Sequence, residues 1–232
     1  MKDLFGKAIL DYQTNNSPED LITETSISDE DKMSVEYLFR VFSKMPKIER
    51  KALELSYGKI LDVGCGAGSH SLYLQNQKNL DVTSIDISEN AIKSCKLRGL
   101  KNAQVQNVLD LENGKFDTII VLMNGTGIFG TLAETTKYMQ KLKSLLNTNG
   151  QILIDSSDLI YMYDDDDLEY IKKNNLYHGE ITFSISYKNQ KEDYFPWLYL
   201  DFETFKRLSN TNGFQCEMIQ KGENFDYLAR LF

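Results

Sequence analysis

Long hydrophobic runs are missing from this chain of 232 residues, and cysteine is scarce. No run approaches the roughly 18 to 20 apolar residues of a membrane helix, which argues against a membrane partner. The three cysteines (Cys65, Cys95 and Cys216) are far apart and odd in number, which favours a reducing cytoplasm over a disulfide framework. Residues 1–7 are charged and lack the apolar core of a secretory signal, so we expect a cytoplasmic protein.

Positive charge is also in short supply, because 26 Lys and Arg face 34 Asp and Glu for a net charge of −8. Affinity for nucleic acid depends largely on Lys and Arg that neutralise phosphates. We therefore expect no nucleic-acid partner, although a local basic patch could override this. The hydrophobic fraction, 41%, is sufficient for a buried core and excludes a wholly disordered chain.

Residues 1–57 lack the alternation of strands and predict an N-terminal helical cap. Apolar residues recur at helical spacing over residues 4–12 and indicate an amphipathic helix. Ser17-Pro18 has the pattern of an N-cap followed by proline at the first helical position. Two further helices are predicted, over residues 35–42 and from Pro46 to about Leu55.

From Lys59 onward, short apolar runs alternate with helical patterns. A long helix is predicted from Leu132 to Leu146, closed by Asn149-Gly150. This alternation predicts an α/β fold with a doubly wound, mostly parallel sheet and right-handed crossovers. The predicted strands cover residues 60–63, 82–85, 105–109, 116–122 and 151–155.

The alternation of strand and helix patterns ends after Asp155. Residues 157–200 are predicted to form an insertion that contains a hairpin of residues 181–187 and 195–200. A closing helix over residues 202–208, ended by Gly213, and an antiparallel pair of strands complete the chain in residues 201–232. We interpret residues 1–232 as one domain, because no repeat or low-complexity linker divides it.

A glycine-rich loop follows the first strand of the alternating region. Gly64, Gly66 and Gly68 stand at alternate positions, which lets the backbone turn sharply and approach a ligand without a side chain between them. The helix after the loop offers unpaired N–H groups. Many nucleotide-binding proteins share such a unit, and Cys65 within it needs only its backbone and small size.

Two carboxylates narrow the choice of ligand. Asp62, two residues before Gly64, would repel a pyrophosphate but would pair with an ammonium group. Asp86 ends the next strand, 22 residues after Gly64, where a carboxylate can accept hydrogen bonds from both ribose hydroxyls. A ligand with a ribose and an ammonium group but no phosphate is therefore favoured.

With these carboxylates, the segment resembles motif I of the class I S-adenosylmethionine-dependent methyltransferases. The resemblance covers residues 59–156 and the last two strands, and it implies a seven-stranded Rossmann-like sheet whose C-terminal strand is antiparallel. It also makes residues 58–156 the half that binds S-adenosylmethionine. The implied cofactor-binding residues are Asp62, Gly64, Cys65 and Gly66 (methionine part), Asp86 (ribose), Ile87, Asp110 and Leu111 (adenine), and Met123 and Asn124 (sulfonium).

The link from Leu109 to Phe116 constrains this assignment. Seven residue steps reach at most about 25 Å, and the link must also travel roughly 14 Å sideways across the sheet. We therefore expect the third strand to end early.

No catalytic residue stands out, which fits a reaction that needs mainly alignment and exclusion of water. Asp155, His70 and His178 are candidates for a base, although we favour a structural role for His70 and a surface loop for His178. Metal-dependent members of the family place an acid after strand four and an acid–amide pair after strand five. Asn124 and Asp155-Ser156 occupy those places here, so we predict no metal site.

The methyl acceptor is predicted to be a small molecule. The Asn-Pro-Pro-Tyr type of sequence that amino-methylating nucleic-acid enzymes carry after strand four is replaced by Met123–Thr126. Phe195, Trp197 and Tyr199 either cage a substrate or seat the hairpin, and the acidic run Asp164–Asp167 is predicted to be a solvated loop. A non-catalytic cofactor-binding module remains an alternative, as does a dinucleotide-dependent oxidoreductase, which Asp62 and the glycine spacing disfavour.

Overall fold

A computed structural model describes residues 2–232 of the chain, which form twelve strands and seven α-helices. The helices are α1 (Leu4–Gln13), α2 (Lys47–Leu55), α3 (Ser69–Asn76), α4 (Glu89–Leu97), α5 (Leu132–Ser144), α6 (Asp165–Lys173) and α7 (Phe202–Thr211). The strands are β1 (Leu21–Thr25), β2 (Ser28–Met33), β3 (Lys59–Val63), β4 (Asp81–Asp86), β5 (Ala103–Val105), β6 (Phe116–Val121), β7 (Leu146–Ser157), β8 (Glu180–Tyr187), β9 (Gln190–Lys191), β10 (Phe195–Leu198), β11 (Cys216–Lys221) and β12 (Asp226–Leu231).

The main sheet has seven strands in the order β5-β4-β3-β6-β7-β12-β11. Pairing is parallel from β5 to β7, whereas β12 runs antiparallel to both β7 and β11. This confirms the predicted doubly wound, mostly parallel sheet with its antiparallel C-terminal strand. The carboxyl ends of β3, β4, β6 and β7 meet at one edge, where ligands bind in open α/β sheets.

Helices cover both faces of the main sheet. Ile60 and Leu61 are adjacent in β3 and point to opposite faces, and neither is exposed to solvent. On the Ile60 face, α2 and α3 contribute Leu53 and Leu74 to the core. On the Leu61 face, α5 and α7 contribute residues such as Met139 and Phe205. None of the helices in residues 2–232 combines the length and hydrophobicity that a membrane crossing requires.

A second, antiparallel sheet joins the N-terminal segment to the insertion. Its order is β10-β8-β1-β2, with β9 paired to β8. The prediction of a purely helical cap is therefore wrong, and Ser17-Pro18 starts no helix. Strand β1 pairs with β8, for example Ile22 with Ser186. Since the partner lies far along the chain, local sequence patterns could not reveal this pairing. The predicted hairpin between β8 and β10 is confirmed.

Three local predictions differ from the structure. Instead of the helix predicted over residues 35–42, the structure has two short 3-10 turns, Val35–Phe39 and Phe42–Lys44. Strand β5 ends at Val105, and the predicted strand over residues 105–109 is replaced by a 3-10 turn at Val108–Asp110. The early end of this strand, which the short link requires, is confirmed. The acidic run is not a loop, because Asp165–Asp167 form the first turn of α6 and Asp164 accepts the N–H of Asp167.

The end of the long helix is also displaced. Helix α5 stops at Ser144 and β7 begins at Leu146, so Asn149-Gly150 lies within the strand and does not close the helix. Phe116 pairs with Leu146 and Thr118 with Gln151, which leaves a bulge between them on β7. Asn149 adopts the left-handed region, with φ of 63°, inside this bulge.

Candidate functional site

The glycine loop after β3 presents bare backbone to open space. Gly64 and Gly66 have positive φ values of 73° and 51°. No heavy atom lies within 4 Å of the place where a Cβ of Gly64 would stand, and only Ile9 Cδ1 reaches 4.0 Å from that of Gly66. A Cβ on Gly68 would instead lie 2.7 Å from Leu100. The first two glycines therefore face a space that a ligand can fill, whereas the third permits packing.

Asp62 lies beneath this loop. Its carboxylate is buried and accepts a hydrogen bond of 2.6 Å from Ser71 Oγ, which is in turn 2.7 Å from Ser84 Oγ. Burial raises the pKa of Asp62. The structure thus gives this side chain an internal partner, and its contact with a ligand ammonium group stays a prediction.

Asp86 connects the glycine loop to α4. Its two carboxylate oxygens accept the N–H groups of Gly66 and Ser88, each at 2.9 Å. Ser88 Oγ accepts the N–H of Ala91 and so supplies the N-cap of α4, which leaves Asp86 free of that role. Burial raises the pKa of Asp86. Next to it, the side chain of Ile87 is 62% exposed, as an apolar neighbour of a bound ring would be.

Asp110 and Leu111 lie at the same edge of the sheet, on the 3-10 turn after β5. Asp110 is exposed, and Leu111 packs partly against the main core. The backbone N–H of Gln106 donates to the carbonyl of Asp86, which fixes this turn beside the end of β4. The position fits the predicted adenine contact, which remains a prediction.

Met123 and Asn124 form a turn of unusual backbone conformation directly after β6. Both adopt the left-handed region, with φ of 68° and 58°, which is costly for residues other than glycine. Asp155 at the end of β7 holds the turn, because its oxygens accept the N–H groups of Met123 (3.1 Å) and Gly125 (2.8 Å). Burial raises the pKa of Asp155 to about 6. Both oxygens of Asp155 thus accept backbone N–H groups, so this carboxylate supports the turn, and its role as a base stays a prediction.

Ser156 ties the insertion to the same edge. Its hydroxyl lies 2.6 Å from Thr126 Oγ1 and accepts the N–H of Leu200 at 2.8 Å. Thr126 also donates to the carbonyl of Leu198. The chain that returns from the hairpin is therefore fixed against the turn that carries Met123 and Asn124.

His70 faces an internal partner and not the open space of the cradle. Its Nε2 lies 2.9 Å from Glu49 Oε2, and Arg40 donates to the other oxygen of Glu49. Burial favours a higher pKa for Glu49, but the hydrogen bond with His70 and the charge of Arg40 lower the pKa below its usual value. All three side chains are buried, which agrees with the structural role predicted for His70.

His178 lies in the connection between α6 and β8, as predicted, but it is not a free surface side chain. Its side chain is only 16% exposed and its Nε2 lies 2.9 Å from Asp158 Oδ1. Tyr163 donates its hydroxyl to the backbone carbonyl of His178, and the ring of Tyr177 is 4.7 Å away. These tyrosines come from the 3-10 turn and α6 region of the insertion, whose fold the sequence did not predict.

The three aromatic residues after the polar turn have different roles. Phe195 and Trp197 lie in β10 and pack against Phe183 at ring distances of 5.9 and 6.0 Å, so they seat the hairpin. A Cβ on Gly127 would stand 2.0 Å from Trp197, which shows how closely this ring approaches the main domain. Tyr199 follows the strand and takes no part in this cluster.

Several residues near this edge were not predicted from the sequence. Glu49 shares the buried side of α2 with Ile48 and Ala52, and a carboxylate on an apolar helix face was the available signal. Tyr161 and Phe225 also lie close to the end of β7, on turns with no periodic pattern. Together, the edge offers an open backbone cradle, a ribose-type carboxylate and a rigid turn, and no activated nucleophile.

Comparisons with known proteins agree with this geometry. A family model described as "Methyltransferase domain" matches residues 55–204. The structure of a SAM-dependent methyltransferase from Bacteroides fragilis, solved in complex with S-adenosyl-L-homocysteine, is 43% identical with a TM-score of 0.90, and the match covers 100% of this chain and 94% of that one. The sugar N-methyltransferase KedS8 from Streptoalloteichus sp. ATCC 53650 is 14% identical (TM-score 0.56, 84% and 87% covered) and shows the fold alone.

Two curated relatives match the chain over part of their length. The ubiquinone biosynthesis O-methyltransferase of Xanthomonas euvesicatoria pv. vesicatoria is 29% identical over 110 residues, and the ribosomal RNA small subunit methyltransferase C of Marinomonas sp. is 26% identical over 117 residues. The matches cover 44% and 46% of this chain, and 44% and 33% of those relatives, respectively. The chain thus spans less than half the length of either.

Proposed function

Because the chain belongs to the family of S-adenosylmethionine-dependent methyltransferases, we propose that it transfers a methyl group from this cofactor to a small-molecule acceptor. Two parts of the chain contact the turn at Met123 and Asn124. Met123 packs against a cluster that contains Ile9 of α1, and Asn124 Nδ2 donates to the carbonyl of Leu198. These contacts from two separate segments are the observation that carries the proposal, since a turn already packed on two sides leaves less room for a macromolecular acceptor.

The cradle fits the cofactor. Gly64 and Gly66 leave room for the methionine part, Asp86 offers acceptors for ribose hydroxyls, and Ile87 offers an apolar surface for adenine. When bound, S-adenosylmethionine supplies a methyl group that is already activated on a sulfonium sulfur. The same fit supports the predicted pairing of Asp62 with the ammonium group.

The protein's own task is then to align the acceptor and exclude water. The Met123–Asn124 turn is rigid because Asp155 holds it, and the cofactor's reacting end would lie beside it. Fixed alignment of two reactants can be worth roughly 7 to 11 kcal/mol, so no side-chain nucleophile is required. The contacts of Ile9 and Leu198 around the turn would keep water away from the reacting centre.

The negative net charge of the chain also supports a small acceptor. With a net charge of −8, the chain offers little to attract nucleic acid, although one curated relative is a ribosomal RNA methyltransferase. Family membership argues against the dinucleotide-dependent oxidoreductase. A non-catalytic module that binds the cofactor is the remaining alternative.

A labelling experiment tests the proposal. The purified chain is incubated with methyl-labelled S-adenosylmethionine and, separately, a metabolite extract, total RNA and duplex DNA, and the labelled products are identified by mass spectrometry. We expect label in the small-molecule fraction and release of S-adenosylhomocysteine. Label confined to RNA or DNA would overturn the small-molecule acceptor. Cofactor binding without transfer to any fraction would favour the non-catalytic module instead.

A further inference from the structure

Aromatic rings from three separate segments surround the end of β7. Tyr161 follows β7, Tyr199 follows β10, and Phe225 precedes β12; we call these three residues the aromatic rim. The rings of Tyr161 and Phe225 are stacked, with centroids 4.5 Å apart and an angle of 16° between planes. They are 52% and 62% exposed. Two large rings thus stand together, partly exposed, at the end of β7, the strand whose Asp155 holds the Met123–Asn124 turn.

Backbone contacts fix the stacked pair at this edge. The N–H of Asp158 donates to the carbonyl of Phe225 at 3.1 Å, and Ser157 is paired with Asp226 in the sheet. Phe225 has a φ of 59°, a strained conformation for a residue with a large side chain. The ring of Phe225 nevertheless stands more than half exposed and stacked on Tyr161.

Tyr199 lies between two anchored leucines. Leu198 and Leu200 are fully buried in the main core and hydrogen-bonded through their backbones to Thr126 and Ser156. In an extended segment, alternate side chains point to opposite sides, so Tyr199 points away from this core. Burial, together with the charges of Tyr161 and Asp155, raises the pKa of Tyr199 to about 12. Its hydroxyl therefore stays neutral at ordinary pH.

The segments that carry the rim are acidic. Residues 155–163, 197–201 and 222–228 contain no Lys or Arg, but they contain Asp155, Asp158, Asp201, Glu223 and Asp226. Lys47 reaches Glu223 from outside these segments, and His178 pairs with Asp158. Even so, the segments that carry the rim hold more carboxylates than the cations that pair with them.

We propose that the aromatic rim is the acceptor-binding subsite and that the acceptor carries an amine, bound as its ammonium form. This rests on the proposed function and specifies its substrate class. Aromatic faces attract cations through their quadrupole, and quaternary and methylated ammonium groups are commonly recognised by such rings. An acceptor with a carboxylate or phosphate would find no Lys or Arg in the rim segments and would face their carboxylates.

The reaction balances for an amine. The bound ammonium group first loses a proton to solvent, which frees the nitrogen lone pair. The nitrogen then forms a bond to the methyl carbon as the carbon–sulfur bond breaks, and that bonding pair stays on sulfur. The products are the methylated amine as its ammonium ion, S-adenosylhomocysteine and the one proton already released to solvent.

Matched acceptor sets test the substrate class. The wild-type protein is incubated with labelled S-adenosylmethionine and amines, alcohols or carboxylates on the same alkyl and aryl frames, such as benzylamine, benzyl alcohol and benzoate. We expect amines to be methylated with a kcat/KM at least about tenfold above the other classes. Equal or faster methylation of alcohols or carboxylates would overturn the proposal, as would the absence of any methylated amine.

Variants of the rim test its location. Phe225→Leu and Tyr161→Leu are expected to lower kcat/KM for the best amine by about tenfold or more, with S-adenosylhomocysteine affinity retained. Tyr170→Leu, which removes a 62% exposed ring from α6, is the matched control and should change kcat/KM by less than about twofold. Unchanged amine turnover in both rim variants would show that the acceptor does not bind at the aromatic rim. Failure of the wild-type protein to bind S-adenosylhomocysteine would instead contradict the proposed function itself.

Discussion

Asp155 lies at the carboxyl end of β7 with both oxygens on N–H groups of the turn after β6. Its environment is costly for a charge, since burial raises its pKa to about 6. The same carboxylate lets Met123 and Asn124 keep their left-handed conformations. A residue that a sequence pattern identifies as a base candidate can thus serve the site by shaping the backbone.

The pH dependence of the free energy of unfolding should reveal the raised pKa of Asp155. Below about pH 3 the Asp155 carboxyl is protonated in both folded and unfolded chains, and above about pH 7 it is ionised in both. In between, the folded chain binds more protons, so stability falls as the pH rises. A shift of about 2 units corresponds to about 3 kcal/mol. We expect the free energy of unfolding of wild type, measured in urea relative to Asp155→Asn, to fall by about that amount between about pH 4 and 7. A constant or rising difference would contradict the account.

The glycine cradle can be tested with a matched pair of substitutions. Gly64 and Gly99 both have positive φ values, 73° and 93°, and both have open space at the Cβ position. Alanine at either position should therefore cost a similar amount of stability, about 1 to 2 kcal/mol. Only Gly64→Ala should weaken S-adenosylhomocysteine binding, by about tenfold or more in calorimetry, because its methyl group would enter the cradle. Equal affinities in the two variants would show that the ligand lies elsewhere.

Asp86 and Asp81 stand at opposite ends of β4 and form a second matched pair. Asp86→Asn replaces one acceptor oxygen with an NH₂ group, so we expect S-adenosylhomocysteine affinity to fall by about tenfold or more. Asp81 is exposed at the other edge of the sheet, and Asp81→Asn should leave the affinity within about twofold. Fluorescence or calorimetric titration measures both. An Asp86→Asn variant with wild-type affinity would remove this residue from the ribose site.

At the scale of elements, a buried cluster joins three parts of the chain. Arg40 comes from the segment between two 3-10 turns, Glu49 from α2 and His70 from the first turn of α3. Arg40 also stacks over Tyr37 at 4.0 Å. The cluster holds the N-terminal segment against the helix that follows the glycine loop.

Removal of the central carboxylate should destabilise the fold strongly. Glu49→Gln leaves the buried guanidinium of Arg40 without its counter-charge, and breaking a buried pair in this way typically costs about 3 to 5 kcal/mol. Glu54, exposed on the same helix, provides the control, and Glu54→Gln should change stability by less than about 0.5 kcal/mol. Urea denaturation measures both. A cost for Glu49→Gln as small as that of the control would show that the cluster contributes little.

The elements also differ in how well the sequence predicts them. The strands and helices of the alternating region follow periodic patterns, and the predictions for β3, β4 and β6 and for the start of α5 agree with the structure. The pairing of β1 with β8 depends on contact between distant segments, and nothing in residues 21–25 indicates it. Helix α5 ends before Asn149-Gly150 because those residues form a bulge in β7, a feature set by strand pairing.

For the whole molecule, we propose that the main sheet carries the cofactor, and the second sheet joins the two segments that contact the Met123–Asn124 turn. The sequence identified the glycine loop and Asp86 because motif spacing determines their place on a strand–loop–helix unit. It singled out Tyr199 as one of three rings that either cage a substrate or seat the hairpin. It could not identify Tyr161 and Phe225, because they come from turns that meet only in the folded chain.

A crystal structure of the chain with S-adenosylhomocysteine tests the central claim most directly. The account predicts the homocysteine part along Gly64–Gly66, the ribose hydroxyls within about 3 Å of the Asp86 carboxylate, and the sulfur beside the Met123–Asn124 turn, on the side that faces the aromatic rim. A ligand bound away from the carboxyl edge of β3 and β4, or a ribose that makes no contact with Asp86, would contradict it.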